Sequence, residues 1–195
     1  EKSVGRVIKA SGIDRKELFL TSKLWNDNKG YEATKAAVNQ TLEDLQTDYL
    51  DLYLIHWLIA KASNGAWQEA NSESWRAMEE LYNAGVIKAI GVSNFLPHHL
   101  EALFATAKVK PMVNQLEIHP GHLQEEAVAY SKEQGLLVEA WAPFANGQIF
   151  DQPLLQEIAK RYNKNVAQIF LRWLLQKDIL PLPKSVTPAR MAANL

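Results

Sequence analysis

The chain has 195 residues, of which 47% are hydrophobic and 22% are charged, and its formal net charge is −1. This balance argues against an extended nucleic-acid or anionic-membrane surface, which would need a clear excess of lysine and arginine. The chain has no cysteine, which excludes disulfides and thiolate nucleophiles and is compatible with a reducing compartment. No apolar run approaches the roughly 20 residues that span a bilayer. We therefore expect one globular domain over residues 1–195, in the cytoplasm, with a small-molecule partner.

Short apolar runs rich in β-branched residues alternate with longer segments whose apolar residues recur every three or four positions. Gly85 and Gly135 are placed to end two of the predicted helices, and Pro97 and Pro153 to begin two others. The short runs predict six buried parallel strands, which are Leu18–Trp25, Leu50–Trp57, Ile87–Asn94, Met112–His119, Leu136–Phe144 and Ile179–Ser185.

Strict alternation of strands and helices fits either an open doubly wound sheet or a closed barrel. A doubly wound dinucleotide fold normally carries G-x-G-x-x-G after its first strand, and this sequence has no such run. Polar or aromatic residues instead follow nearly every strand, where barrel enzymes build their sites. We predict an α/β fold of the (β/α)8 TIM-barrel type, with about six of the eight units here. The N-terminal strands and a C-terminal segment are expected to lie outside this sequence.

The side chains at the strand ends are candidates for chemistry. Strand alternation puts Lys23 on the side of Thr21 and His56 on the side of Leu54, so both would point along one barrel axis. A strand-end lysine can also reach out to solvent, and a lone histidine is more often a satisfied core residue, so both interpretations stay open from the residues alone. The other candidates at strand ends are Ser93, Asn94, Gln115 and Trp141.

Four motifs occur in one order along the chain. They are Leu-Thr-Ser-Lys-Leu-Trp-Asn at 20–26, Asp-Leu-Tyr-Leu-Ile-His-Trp at 51–57, Ile-Gly-Val-Ser-Asn-Phe at 90–95 and Leu-Pro-Lys-Ser-Val-Thr at 182–187. Together they resemble the signatures of the aldo-keto reductases, most nearly the bacterial diketogluconate and methylglyoxal reductases, over essentially the whole chain. The resemblance implies NADPH-dependent reduction of aldehydes or ketones, such as small dicarbonyls or keto-sugar acids, to alcohols.

The resemblance also implies a catalytic tetrad of aspartate, tyrosine, lysine and histidine, of which Lys23 and His56 match the last two. Lys23 would bring the pKa of a tyrosine phenol down from its ordinary value near ~10. His56 would hydrogen-bond the substrate carbonyl and orient it, and Trp25 and Trp57 would also bind the substrate. The matching aspartate and tyrosine would lie upstream of Glu1. We therefore expect a proton donor outside this sequence, and impaired turnover from these 195 residues alone.

The resemblance also implies which residues of this sequence contact the cofactor. Ser93, Asn94 and Gln115 resemble the clamp on the nicotinamide carboxamide, and Trp141 resembles the aromatic on which the ring stacks. The pyrophosphate would pass Ala142, Pro143 and Phe144. The adenosine 2′-phosphate and the adenine would lie against Lys184, Ser185, Val186, Thr187, Arg190 and Asn194. Because a 2′-phosphate distinguishes NADP from NAD, this stretch predicts NADPH as cofactor.

Physical chemistry supports the phosphate site independently, since Thr187 can cap a helix that starts at Pro188, and a helix N-terminus flanked by two cations binds phosphate well. A solvated basic turn, a core aromatic at Trp141 and strand-end caps at the amides remain the alternatives. A non-catalytic nucleotide-binding or interaction module on the same barrel is the alternative function. No metal-ligand spacing is evident. We expect His98 and His99 to face solvent, and the protein to be a monomer or a weak dimer.

Overall fold

The computed structural model describes residues 1–58 and 66–195. The chain divides into two compact units, Glu1–Val113 and Asn114–Leu195. Strands and helices alternate through most of the chain, as the sequence predicts, but two consecutive helices, Pro153–Tyr162 and Val166–Gln176, precede the last strand. In the described part of the chain, no helix is both long enough and apolar enough to cross a membrane. The expectation of one domain over residues 1–195 stays a prediction.

The first unit begins with a helix and then alternates strands and helices. Its helices are α1 (Lys2–Ser11), α2 (Tyr31–Leu45), α3 (Trp67–Asn83) and α4 (Pro97–Phe104). Its strands are β1 (Thr21–Leu24), β2 (Leu52–Ile55) and β3 (Ile90–Ser93). β1 pairs with β2 and β2 with β3, both in parallel. Every residue of β2 and β3 is buried, which agrees with the prediction of strands that are apolar on both faces.

Close packing in the first unit depends on a glycine. A Cβ atom at Gly91 would lie 2.6 Å from the carbonyl oxygen of Val113 and 2.7 Å from Cδ2 of Leu54. Distances this short are sterically forbidden, so β3 needs glycine at this position. The helix α3 ends at Asn83, and the predicted Gly85 follows the C-cap Ala84 with a φ of 76°, which is readily available to glycine.

The second unit contains the remaining elements. β4 (Val113–Glu117), β5 (Leu137–Trp141) and β6 (Leu180–Pro181) lie side by side in that order, and β5 pairs with β6 in parallel. The helices are α5 (Glu125–Glu133), α6 (Pro153–Tyr162), α7 (Val166–Gln176) and α8 (Pro188–Ala193). Leu116, Val138, Phe170 and Leu174 belong to one apolar core cluster. Burial of these side chains holds α7 against the strands.

All six predicted strands are longer than the observed ones, and two of them extend furthest beyond the observed C-terminal end. The strand predicted to reach Ser185 ends at Pro181, because Pro181 and Pro183 have no N–H group to donate to a neighbouring strand. The strand predicted to reach Phe144 ends at Trp141. Ala142 has a φ of 48°, outside the extended region, so the backbone turns at this residue.

Candidate functional site

The ends of β1 and β2 bring two predicted catalytic residues to one face of the first unit. Lys23 stands opposite Leu54 in the strand register, and the His56 N–H donates to the carbonyl oxygen of Leu24 at 3.2 Å. Paired residues on neighbouring strands share a face, and His56 follows Leu54 by two positions. Lys23 and His56 therefore lie on the same face, as alternation along the two strands predicts.

The His56 ring lies between two exposed aromatic rings. Its centroid is 5.0 Å from that of Trp25 and 6.3 Å from that of Trp57, and these tryptophans are 56% and 42% exposed. Burial lowers the pKa of His56 below its usual value, and the charges of Lys23 and Lys29 lower it further. The imidazole is therefore neutral near neutral pH, with one N–H to donate. Within residues 1–58 and 66–195, its Nδ1 atom is buried without a hydrogen-bond partner.

Lys29 is a neighbour of His56 that sequence reasoning missed. Its Nζ donates to Oδ1 of Asn71 at 2.8 Å, and Nδ2 of the buried Asn71 donates to the carbonyl oxygen of Leu58 at 2.9 Å. Burial lowers the pKa of Lys29 to about 7. The sequence gives no signal that Lys29 is buried and bonds Asn71, because Lys29 stands in a polar loop, where a lysine is ordinarily solvated.

The residues at the end of β3 lie beside His56. Ser93 is fully buried, and Asn94 has a φ of 62°, which asparagine tolerates better than most residues. The Asn94 side chain donates to the carbonyl oxygen of His56 at 3.0 Å and to Oγ of Ser93 at 3.1 Å. The first unit therefore brings together Lys23, His56 and both predicted β3 residues at neighbouring strand ends.

Two tyrosines of the first unit have their hydroxyl groups engaged elsewhere. Tyr53 is 1% exposed, bonds Thr41 through its side chain, and has a pKa raised by burial. The hydroxyl of Tyr31 donates to Glu80, and the guanidinium of Arg76 lies 3.8 Å from the centre of its ring. These contacts are compatible with the expectation that the proton donor lies outside this sequence.

In the second unit, Gln115 on β4 makes a contact with a buried carboxylate. Its Nε2 donates to Oε2 of Glu139 at 2.7 Å, and the two side chains are 3% and 5% exposed. Glu139 precedes the half-buried Trp141 by two positions on β5, so both side chains project from the same face of the strand. Sequence reasoning did not include Glu139, because a glutamate within an apolar strand has no motif of its own.

A cavity of about 530 Å³ opens in the second unit, on the side that carries the predicted phosphate residues. The predicted residues that line it are Ala142, Pro143, Phe144, Lys184, Ser185, Arg190 and Asn194. Asn146, Phe150 and Asn165 also line the cavity and were not predicted. Val186 and Thr187 do not belong to its wall, and Val186 is 76% exposed. Its size falls within the range of small-molecule sites, and two of its lining residues are cationic.

The prediction that Thr187 caps α8 is wrong. Thr187 occupies the N-cap position, but its side chain makes no capping bond. Its backbone N–H donates instead to Oγ of Ser185 at 3.1 Å, which forms a local turn of the kind that serine favours. The polar contribution at this end of the cavity therefore comes from Lys184, Ser185 and Arg190.

The expectation for His98 and His99 is half right. His98 is exposed, but His99 is half-buried, and its ring packs edge-on against Trp67 and Phe95. Its Nδ1 accepts the backbone N–H of Leu96 at 3.1 Å. In the described residues, no group of three or more histidine, aspartate or glutamate side chains is arranged to hold a metal ion.

Comparisons with known proteins agree on one family. A model of the aldo/keto reductase family matches residues 1–195. The glyoxal reductase of Bacillus subtilis is 50% identical over 194 residues, which are 100% of this chain and 67% of that protein. The methylglyoxal reductase DkgA of Escherichia coli is 40% identical over 196 residues, which are 100% of this chain and 68% of that protein.

A crystal structure of a Bombyx mori aldo-keto reductase in complex with NADP has a TM-score of 0.89 and 35% identity, and the match covers 99% of this chain and 68% of that one. The chain thus spans about two thirds of the length of these relatives. Its strands are part of the (β/α)8-barrel fold that this family shares. The chain belongs to the aldo-keto reductases, a family of oxidoreductases.

Proposed function

We propose that this protein reduces small aldehydes and ketones to alcohols with NADPH, and that dicarbonyls or keto-sugar acids are its substrates. The observation that carries the proposal is the pair of Lys23 and His56 on one face, with the imidazole between two exposed tryptophan rings. The names of the two reductase relatives, which act on glyoxal and methylglyoxal, support the choice of small dicarbonyls.

The residues of the first unit have defined tasks in this reaction. When bound, the reduced nicotinamide supplies the hydride that adds to the carbonyl carbon. The neutral imidazole of His56 donates a hydrogen bond to the carbonyl oxygen and orients the substrate between Trp25 and Trp57. Lys23 stabilises the negative charge that develops on the oxygen and lowers the pKa of the proton donor. That donor is a tyrosine for which this sequence has no matching residue.

The cofactor contacts are proposed residue by residue. Ser93, Asn94, Gln115 and Trp141 resemble the family's nicotinamide contacts, and Ala142, Pro143 and Phe144 resemble the residues that the pyrophosphate passes. The 2′-phosphate would lie against Lys184, Ser185 and Arg190, with Val186 and Thr187 at the exposed edge and Asn194 near the adenine. Two cations and a hydroxyl beside a cavity suit an anionic group. The cytoplasmic location and the monomeric or weakly dimeric state stay predictions.

The test is the consumption of NADPH with methylglyoxal as substrate, for the unaltered sequence and for Lys23→Met, both in a form extended at both ends by the corresponding segments of the Bacillus subtilis glyoxal reductase, so that a proton donor is present. Removal of the cation should lower kcat by about 10²–10⁴-fold, the range for loss of assisted proton transfer. Lys35→Met is the matched control, because Lys35 is a surface lysine of the same unit, paired with Glu80. Turnover by Lys23→Met within twofold of the control would refute the proposed role. A protein that binds NADPH and reduces no carbonyl would favour the non-catalytic alternative.

The proton donor has its own test. The 195-residue chain is compared with a form extended at both ends by the corresponding segments of the Bacillus subtilis glyoxal reductase. The extended form should turn over at least about 10²-fold faster, because it would supply a positioned general acid. Equal turnover would return attention to Tyr31 and Tyr53, the two hydroxyls that are engaged elsewhere in this structure.

A further inference from the structure

We propose that Glu139 is a positioning residue that fixes the orientation of the Gln115 side-chain amide toward the nicotinamide carboxamide. The observation is the hydrogen bond from Nε2 of Gln115 to Oε2 of Glu139 at 2.7 Å between two buried side chains. The inference rests on the proposed function, because it assigns Gln115 a partner in the bound cofactor.

The chemistry of the pair determines which way the amide faces. An oxygen of Glu139 accepts the hydrogen bond from Gln115, and an amide side chain has one donor end and one acceptor end. Glu139 therefore selects the rotamer in which Gln115 turns its Nε2 toward the carboxylate and its Oε1 away from it. The Oε1 atom is then oriented to accept an N–H of the carboxamide. A neutral amide in place of Glu139 would pair with Gln115 in either direction and lose this selection.

The position of Glu139 on β5 fits such a task better than a purely structural one. Its strand neighbours Val138 and Ala140 belong to the apolar core cluster of the second unit. Glu139 projects to the opposite face, which it shares with Trp141, the residue proposed to stack on the nicotinamide. In the second unit, all of which is described, Glu139 is the one acidic side chain that is buried.

Burial of a carboxylate is costly, and an apolar residue of similar volume would often stabilise a fold as well or better. Glu139 contacts an amide through its carboxylate at a point where β4 and β5 present other candidate cofactor residues. A role in orienting Gln115 gives this buried carboxylate a task that an apolar residue could not perform.

The experiment measures the binding of two ligands by calorimetry, NADP⁺ and 2′-phospho-ADP-ribose, which keeps the phosphate end of the cofactor and lacks the nicotinamide. Glu139→Gln should weaken NADP⁺ about tenfold, the difference between a hydrogen bond to a charged group and one to a neutral group. It should leave 2′-phospho-ADP-ribose within twofold of the unaltered protein. Glu157→Gln, at an exposed glutamate on α6, is the matched control and should change neither ligand.

Two further variants separate orientation from a general packing effect. Glu139→Asp keeps an acceptor-only group and should recover part of the NADP⁺ affinity. In a Gln115→Ala background, Glu139→Gln should have no further effect on NADP⁺, because the residue through which it acts is gone. Both ligands report on the same folded sample, so a loss of folded protein lowers the amount bound and not the ratio of the two affinities.

Equal weakening of both ligands, or an unchanged NADP⁺ affinity in Glu139→Gln, would overturn the inference. An undiminished effect of Glu139→Gln in the Gln115→Ala background would also overturn it. If the unaltered protein bound neither ligand, the proposed function itself would be refuted, and this result differs from every pattern that concerns Glu139 alone.

Discussion

The two units of the chain hold their candidate residues in different ways. In the first unit, Ser93 is fully buried, and the Asn94 side chain bonds the backbone of His56. In the second unit, the cations Lys184 and Arg190 are exposed at the wall of an open cavity. The difference fits the task that we propose for each unit. Proton and hydride chemistry needs fixed geometry, whereas a large anionic cofactor needs an open site with cations that can reach it.

The first way to sharpen this comparison is to remove a buried hydrogen-bond acceptor from the first unit. Glu79 on α3 is buried, and its Oε1 accepts the backbone N–H groups of Lys108 and Val109 at 2.6 and 2.7 Å. Glu79→Ala would leave two backbone donors without their acceptor and should lower the free energy of unfolding by about 2–4 kcal/mol. Urea denaturation measures the change.

The control for Glu79 lies on the same helix. Glu73→Ala removes an exposed carboxylate that pairs with Arg76, and surface pairs of this kind contribute little. Its urea midpoint should therefore stay near that of the unaltered protein. If Glu79→Ala lowers the free energy of unfolding by less than about 1 kcal/mol, the stability of the first unit does not depend on this carboxylate.

The second way is to remove an aromatic ring from the second unit. If Trp141 stacks on the nicotinamide, NADPH should quench tryptophan emission, and Trp141→Ala should abolish most of the quench and weaken NADPH by about 0.5–1.5 kcal/mol. Trp173→Phe is the control, because Trp173 stacks on Phe170 within α7 and should leave the cofactor-dependent quench unchanged. A quench that survives Trp141→Ala would assign Trp141 to the core.

The smallest expected effect is a pH dependence in the first unit. Burial, with a further contribution from His98, lowers the pKa of His99 from 6.5 to about 4. Between these two values the unfolded chain binds a proton that native His99 does not, so stability should fall as the pH drops from 6.5 toward 4. Protonation of Nδ1 would also break its bond from Leu96.

His99→Gln should flatten this part of the stability profile, measured as urea midpoints at several pH values. His98→Gln removes only the smaller cause of the shift and should flatten it less. An unchanged slope in His99→Gln would show that other groups account for the acid sensitivity.

The sequence predicted the elements of this fold well where local signals are strong. The buried stripe of α3, followed by Gly85, is visible as apolar residues three or four positions apart. The common face of Lys23 and His56 is visible as an alternation with a period of two residues. The predicted length of β6 was wrong because two prolines, Pro181 and Pro183, have no N–H group to continue the ladder.

The candidate site was predictable only in part, because several of its features come from contacts distant in the sequence. Lys29 bonds Asn71, which is 42 residues away, and Gln115 bonds Glu139 at a separation of 24. Neither pair has a spacing that a local pattern reveals. His99 looked solvent-facing because it stands at the start of an amphipathic helix, yet the ring of Trp67 from another helix packs against it.

The measurement that tests the central claim most directly compares NADPH and NADH binding in the unaltered protein and in Arg190→Ala. The claim is that the cations of the second unit recognise the 2′-phosphate. Arg190→Ala should then weaken NADPH by about 1.5–3 kcal/mol, the range for a hydrogen bond to a charged group, and leave NADH almost unchanged. Equal losses for the two cofactors, or no preference for NADPH in the unaltered protein, would contradict the account.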